Sequence, residues 1–182
     1  PEQGSVELTV NPRKSREFAV AVRIPAWSKI TMVTVNGQAV ADVRPGSYLT
    51  VSRTWKEGDK IALNFDMRGR LTELNGYQAI ERGPVVLARD TRLGEGFVDE
   101  TCVVQTSGGY VELMPVTDKP AGVWMAFSAP MKLGTDTEGR AAGIVQVPLC
   151  DFVSAGNTWH PAVRYRVWLR RTFDPISDPW VE

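Results

Sequence analysis

Short runs in which apolar and polar side chains take turns, cut apart by Gly, Pro and Asn, recur along almost the whole chain. A period of two sets one face of an extended segment on a core and the other in water, so each run reads as a half-buried strand. No window of useful length carries helical periodicity, and residues 71–74 suit one helical turn at most. The class to expect is all-β, built from antiparallel hairpins.

The clearest unit is residues 45–65. Residues 48–53 and 60–65 alternate cleanly, and Gly58 and Asp59 turn the chain between them, beside Trp55. Ahead of this pair, residues 6–10 form a strand closed by Pro12, and residues 18–24 a second closed by Pro25. Residues 30–35 and 38–43 flank Asn36-Gly37, the dipeptide that accepts the two positive φ angles of a type I′ hairpin turn. Residues 77–88 follow, an apolar run in which Gly83-Pro84 predicts a bulge or an edge. Residues 90–96 lose the alternation and read as a linker. Beyond it, strands are expected at 101–105, 110–113, 123–127, 143–147 and 165–170, with 134–140 as a mobile loop. The expected architecture is two antiparallel β-sandwiches, jelly-roll-like, in tandem, spanning residues 1–92 and 93–182.

Composition narrows the function classes. With 43% apolar and 23% charged residues the chain is an ordinary globular protein. Lys plus Arg equals Asp plus Glu at 21 each, so no net field exists to hold nucleic acid or another polyanion. No run approaches the roughly 20 apolar residues of a membrane-spanning helix. The chain opens on Pro1-Glu2-Gln3-Gly4, without an initiator Met or a signal sequence, which points to a piece of a longer polypeptide. Cys102 and Cys150 are too few for a disulfide scaffold; they can pair in an oxidising compartment, but buried free thiols are the expectation.

The residues that carry chemistry are sparse. Glu57, Asp59, Glu73, Glu81, Asp99, Glu100 and Asp151 are available for paired-carboxylate catalysis, yet most lie where acids are simply solvated. Asp151 differs in following an apolar run, where it can bind a neighbouring loop. His160 is the one histidine, so no multi-histidine metal site and no serine triad is expected, and Ser28, Ser107 and Ser154 lack a nucleophile elbow. Ser107-Gly108-Gly109 reads as a hairpin turn. Of the six tryptophans, Trp124 and Trp168 lie in apolar strands and are expected in an interior. Trp27, Trp55 and Trp159 sit by turns, where they suit packing at a domain interface or, as the alternative, a platform on which a sugar ring stacks.

One run of motifs is more specific. Arg23-Ile24-Pro25-Ala26-Trp27, Thr34-Val35-Asn36-Gly37, Gly46-Ser47-Tyr48-Leu49-Thr50-Val51 and Thr54-Trp55-Lys56-Glu57-Gly58-Asp59 resemble the region after the catalytic barrel in glycoside hydrolase family 127, the β-L-arabinofuranosidase-like enzymes. Ala79-Ile80-Glu81-Arg82-Gly83-Pro84-Val85-Val86 resembles the strand that follows. Val147-Pro148-Leu149-Cys150-Asp151, Gly156-Asn157-Thr158 and Tyr165-Arg166-Val167-Trp168-Leu169 resemble the closing strands. The likeness runs in order along nearly the whole chain and is weakest over residues 97–145.

The resemblance implies the middle and C-terminal β-sandwiches of a larger hydrolase. In that family the nucleophilic cysteine, the zinc-binding cysteines and the catalytic glutamates belong to an upstream (α/α)6-barrel, so no catalytic, cofactor-binding or metal-binding residue carries over to this chain. The implied partner is that barrel, with carbohydrate as a second ligand class; the implied compartment is the periplasm or the cell exterior. A barrel that packs on these sandwiches leaves an apolar patch on the isolated chain, for which Trp27 and Trp55 are the candidates. Two rival readings stay open: a sugar-binding module acting through Trp159 or Trp55, and an enzyme in its own right with Glu81 and Asp151 converging in a cleft.

Overall fold

The computed structural model describes residues 1–94, 97–134 and 143–172. Every strand pairing among them is antiparallel and none of them is helical. The chain divides into two compact units, Pro1–Met67 and Arg68–Glu182.

The first unit holds β1 (Ser5–Val10), β2 (Arg16–Arg23), β3 (Met32–Val35), β4 (Gln38–Ala39), β5 (Tyr48–Trp55) and β6 (Asp59–Asn64). One sheet runs β1-β6-β3-β4 and the other pairs β2 with β5. Val22, Ile24 and Trp55 from the side of the pair meet Val33, Val35, Ile61 and Leu63 from the larger sheet in one buried cluster, which makes the unit a sandwich. The alternation read from the sequence is what produces it: in β2 and β5 the residues at positions 18, 20, 22 and 49, 51, 55 turn inward together. Asn36 and Gly37 take φ of 49° and 81°, the expected type I′ pair.

The second unit holds β7 (Gly69–Leu74), β8 (Tyr77–Arg82), β9 (Val85–Asp90), β10 (Cys102–Val104), β11 (Met114–Pro115), β12 (Ala126–Leu133), β13 (Ile144–Asp151), β14 (Tyr165–Arg166) and β15 (Leu169–Arg170). The main path is β10-β12-β13-β9-β8-β15, with β7 on β8, β11 on β12 and β14 on β9. This sheet wraps around a main core that includes Ile80, Leu87, Cys102, Met131, Leu149 and Leu169, with a smaller buried cluster of Val123, Ala126 and Cys150 beside it. One side chain ties β8 to β10 across the sheet. Gln78 of β8 is fully buried; its Nε2 donates to the Cys102 carbonyl at 3.0 Å, and the Val104 N–H donates to its Oε1 at 3.0 Å. The amide thus takes the place of a missing strand segment between β8 and β10.

Several expectations change. The division falls after Met67, not near residue 92, because β7, β8 and β9 pair with one another and with β13, β14 and β15 and so belong to the second sheet. Residues 71–74 are the end of β7, not a helical turn, and Asn75-Gly76, with φ of 47° and 82°, closes a second type I′ hairpin. Gly83-Pro84 is the two-residue turn between Arg82 and Val85, with Gly83 at φ 56°, rather than a bulge. Residues 110–113 form no strand; Val111 contributes an isolated bridge to Gly69. β12 and β13 run past the expected ends at 127 and 147, on through Pro130 and Pro148. β13 pairs with β9 only at Cys150 and Asp151, so Pro148 has an unpaired flank and its missing N–H is tolerated. Most of the expected 134–140 loop lies outside the described residues.

Candidate functional site

Asp151, Glu81 and both thiols are used structurally. Asp151, at the end of β13, is buried: its Oδ2 accepts from the Met125 N–H at 3.0 Å and from Ser154 Oγ at 2.7 Å, and its Oδ1 from the Ser154 N–H at 3.0 Å. Ser154 Oγ in turn accepts from the Trp124 N–H at 2.9 Å. Asp151 therefore binds a neighbouring loop, as its place in the sequence suggested, and neither it nor Ser154 has a free oxygen for chemistry. Glu81 is tied to Arg70 Nη2 at 2.6 Å and to Thr72 Oγ1 at 3.0 Å on the face of β7 and β8. Ser28 Oγ accepts from the Asp66 N–H at 2.8 Å.

Both cysteines are buried and free. Burial pushes the Cys102 thiol up to about 11 and the Cys150 thiol up to about 12, so both stay protonated near neutrality and are poor nucleophiles and poor metal ligands. Among the described residues no three His, Cys, Asp or Glu side chains gather as a metal site would require.

The start of the expected linker, Asp90 and Arg92, forms a clamp. Asp90 ends β9, and Arg92, two residues on, grips it: Nε lies 2.9 and 3.1 Å from Oδ1 and Oδ2, and Nη2 lies 2.6 Å from Oδ2. Arg92 also donates to Asn157 Oδ1 at 2.7 Å and to the Ser154 carbonyl at 2.7 Å, while the Gly156 N–H donates to Asp90 Oδ2 at 2.9 Å. Burial pushes the Asp90 carboxyl up, but the hydrogen bonds from Arg92 and Gly156 outweigh it and hold the carboxyl below its ordinary value. Asn157 Nδ2 reaches the Gly122 carbonyl at 2.8 Å, and Thr91 exchanges hydrogen bonds with Arg164 at 3.0 and 3.1 Å. Gly156 must be glycine: at φ 66°, a Cβ would lie 2.7 Å from the Tyr165 ring.

This clamp fixes the loop over residues 152–164, and the loop carries Trp159. Trp159 is 92% exposed, the most exposed large apolar side chain among the described residues. Its φ of 55° is a left-handed conformation that a bulky side chain adopts at a cost of about 1–2 kcal/mol. His160 beside it is exposed, with Nδ1 accepting from the Ala162 N–H at 3.2 Å.

The other tryptophans separate cleanly. Trp55 is 0% exposed, with Nε1 donating to the Phe18 carbonyl at 2.9 Å, so it is core and offers no surface to a sugar or to another domain. Trp27 is half-buried, edge-on to Phe65 at 5.6 Å. Trp124 and Trp168, expected inside, are 45% and 43% exposed: they lie just before β12 and β15 respectively, in neither strand. Trp180 lies outside the described residues.

Fold and site together define a pair of all-β units in which Asp90, Arg92, Asp151 and Glu81 are held in structural hydrogen bonds. Residues 1–67 match the family model described as "Beta-L-arabinofuranosidase, GH127 middle domain". Among solved structures, a glycoside hydrolase aligns over 96% of this chain and 31% of its own, at 26% identity and a TM-score of 0.76. A GH127 β-L-arabinofuranosidase from Geobacillus stearothermophilus aligns over 95% and 29%, at 22% identity and 0.69. A second GH127 β-arabinofuranosidase aligns over 93% and 30%, at 23% identity and 0.67; at these last two identities the likeness speaks to the fold alone. No curated protein matches the sequence. Residues 1–67 are thus similar to the middle domain of glycoside hydrolase family 127, and the chain as a whole is similar to a part of such proteins, spanning about a third of the length of the solved structures it matches.

Proposed function

We propose that this chain is the accessory β region of a β-L-arabinofuranosidase-like glycoside hydrolase, inert by itself, and that hydrolysis belongs to an (α/α)6-barrel domain of the same polypeptide. The observation that carries this reading is the correspondence itself. Residues 1–67 match a middle domain, and 96% of the chain aligns onto 31% of a larger glycoside hydrolase. The side-chain chemistry supports it, since Asp151, Glu81 and both thiols are occupied or protonated. The role is mechanical: two rigid β modules cover the barrel's flank and help shape the mouth of its cleft.

The test compares the purified chain with the longer polypeptide on aryl β-L-arabinofuranosides. The chain alone is expected to release no arabinose and the longer polypeptide to release it with zinc bound; turnover by the chain alone would overturn the proposal.

A further inference from the structure

We propose that Asn75 is a site of spontaneous covalent modification, at which the side-chain amide is lost as ammonia through a cyclic imide formed with Gly76, leaving aspartate and isoaspartate at the tip of the β7–β8 hairpin. The chemistry needs an asparagine amide that is free to swing onto the backbone nitrogen of the next residue. The asparagines of the chain separate on that criterion. Asn11 precedes Pro12, which has no N–H to attack with. Phe65, after Asn64, commits its N–H to the Gly4 carbonyl at 2.9 Å. Asn157 is held on both sides, accepting from Arg92 Nη1 at 2.7 Å and donating to the Gly122 carbonyl at 2.8 Å.

Two Asn-Gly pairs remain, and they form a matched comparison. Asn36-Gly37 and Asn75-Gly76 both close type I′ hairpins, with φ of 49° and 81° in the first and 47° and 82° in the second. These angles do not distinguish them, but the side chains do. Asn36 Nδ2 donates to Asp59 Oδ1 at 2.9 Å and its Oδ1 accepts from the Lys60 N–H at 2.8 Å, so β6 occupies both ends of the amide. Asn75 is exposed, and neither its amide nor the Gly76 N–H has a hydrogen-bond partner among the described residues.

In the first step base takes the Gly76 amide proton, the nitrogen bonds to Asn75 Cγ, and the Cγ–Nδ2 bond breaks as Nδ2 leaves with a proton as ammonia. Water then opens the imide. Cleavage at Cγ gives aspartate; cleavage at the Asn75 backbone carbonyl carbon gives isoaspartate, whose main chain runs through Cβ and Cγ and is one carbon longer. The Gly76 carbonyl accepts from the Arg171 N–H at 2.9 Å, and Gln78, two residues on, ties β8 to β10. A longer backbone at this tip disturbs the register that sets both contacts, so the change loosens the second unit with time.

The test incubates the purified chain at mildly alkaline pH, folded and unfolded in guanidinium, and follows tryptic peptides 71–82 and 30–44 by mass spectrometry, with enzymatic methylation to detect isoaspartate. In the folded chain, peptide 71–82 is expected to gain the mass of an amide-to-acid exchange on the order of tenfold faster than peptide 30–44, a margin set by the hydrogen bonds that Asn36 must break. In guanidinium the two rates are expected to converge, and Asn75→Gln is expected to leave the mass of peptide 71–82 steady. Equal rates in the folded chain, a faster Asn36, a mass gain that persists in Asn75→Gln, or a folded Asn75 that stays intact while both sites convert in guanidinium would overturn the proposal.

Discussion

Gln78→Leu should open the second unit at its seam. Leucine nearly matches glutamine in size, so little cavity results, but two buried backbone groups lose their partner: the Cys102 carbonyl and the Val104 N–H. Each unpaired buried group costs about 1–3 kcal/mol, and the added apolar burial returns on the order of 1 kcal/mol, leaving a net loss of about 1–5 kcal/mol. The measurement is urea unfolding combined with amide hydrogen exchange. The transition assigned to the second unit should move to lower urea, and protection of the Val104 amide should fall more than that of Met131, its ladder partner on β12. Because the chain has two units, exchange rather than a single midpoint assigns the effect. A variant that keeps wild-type stability and Val104 protection would show that β10 is held by β12 alone and that the amide seam is incidental.

Arg92→Ala removes the partner of a buried carboxylate and should cost about 3–5 kcal/mol by thermal or urea unfolding, with loop 152–164 losing exchange protection first. Asp90 has its folded pKa lowered, so its contribution is present above the ordinary carboxylate range and is lost as pH falls through the folded value; stability should therefore drop below about pH 4, and less steeply in Asp90→Asn. The cysteines act at the other limit. With folded values near 11 and 12 against 9.0, they stabilise the fold fully below pH 9 and lose that contribution as pH rises through those values, so Cys150→Ala should flatten the alkaline limb of the stability curve. A thiol reagent at pH 8 should label neither residue until the chain is unfolded.

The local elements were legible because their causes are local. Asn36-Gly37 dictates its own turn, and the alternation through β2, β5 and β6 dictates which side chains face inward. The domain boundary was not legible, because it depends on which strands pair. Residues 77–88 follow residues 48–65 along the chain as a further strand-forming run, and only the register of β9 against β13 and of β8 against β15 assigns them to the second sheet. The same limit explains Asp90 and Arg92. Two charges near two glycines look like a linker when read along the chain. They become a clamp only when Ser154, Gly156 and Asn157, more than 60 positions later, arrive beside them.

For the tryptophans the governing variable is the direction of one Cα–Cβ bond, which flips with every residue of a strand. Trp55 shares a turn-side position with Trp27 and Trp159 in the sequence. It nevertheless belongs to the inward set of β5, and the Phe18 carbonyl, 37 residues earlier, satisfies its Nε1 so that burial leaves no polar group unpaired. Trp124 and Trp168 fall just before β12 and β15, where the alternation has not begun to act, so an apolar neighbourhood in the sequence did not become a buried one. Trp159 has no strand to turn it inward, and its backbone holds a conformation that tryptophan does not choose unaided. A residue type alone therefore ranks the six tryptophans poorly. Long-range pairing decides which indole closes a core and which one is left facing solvent on a fixed mount.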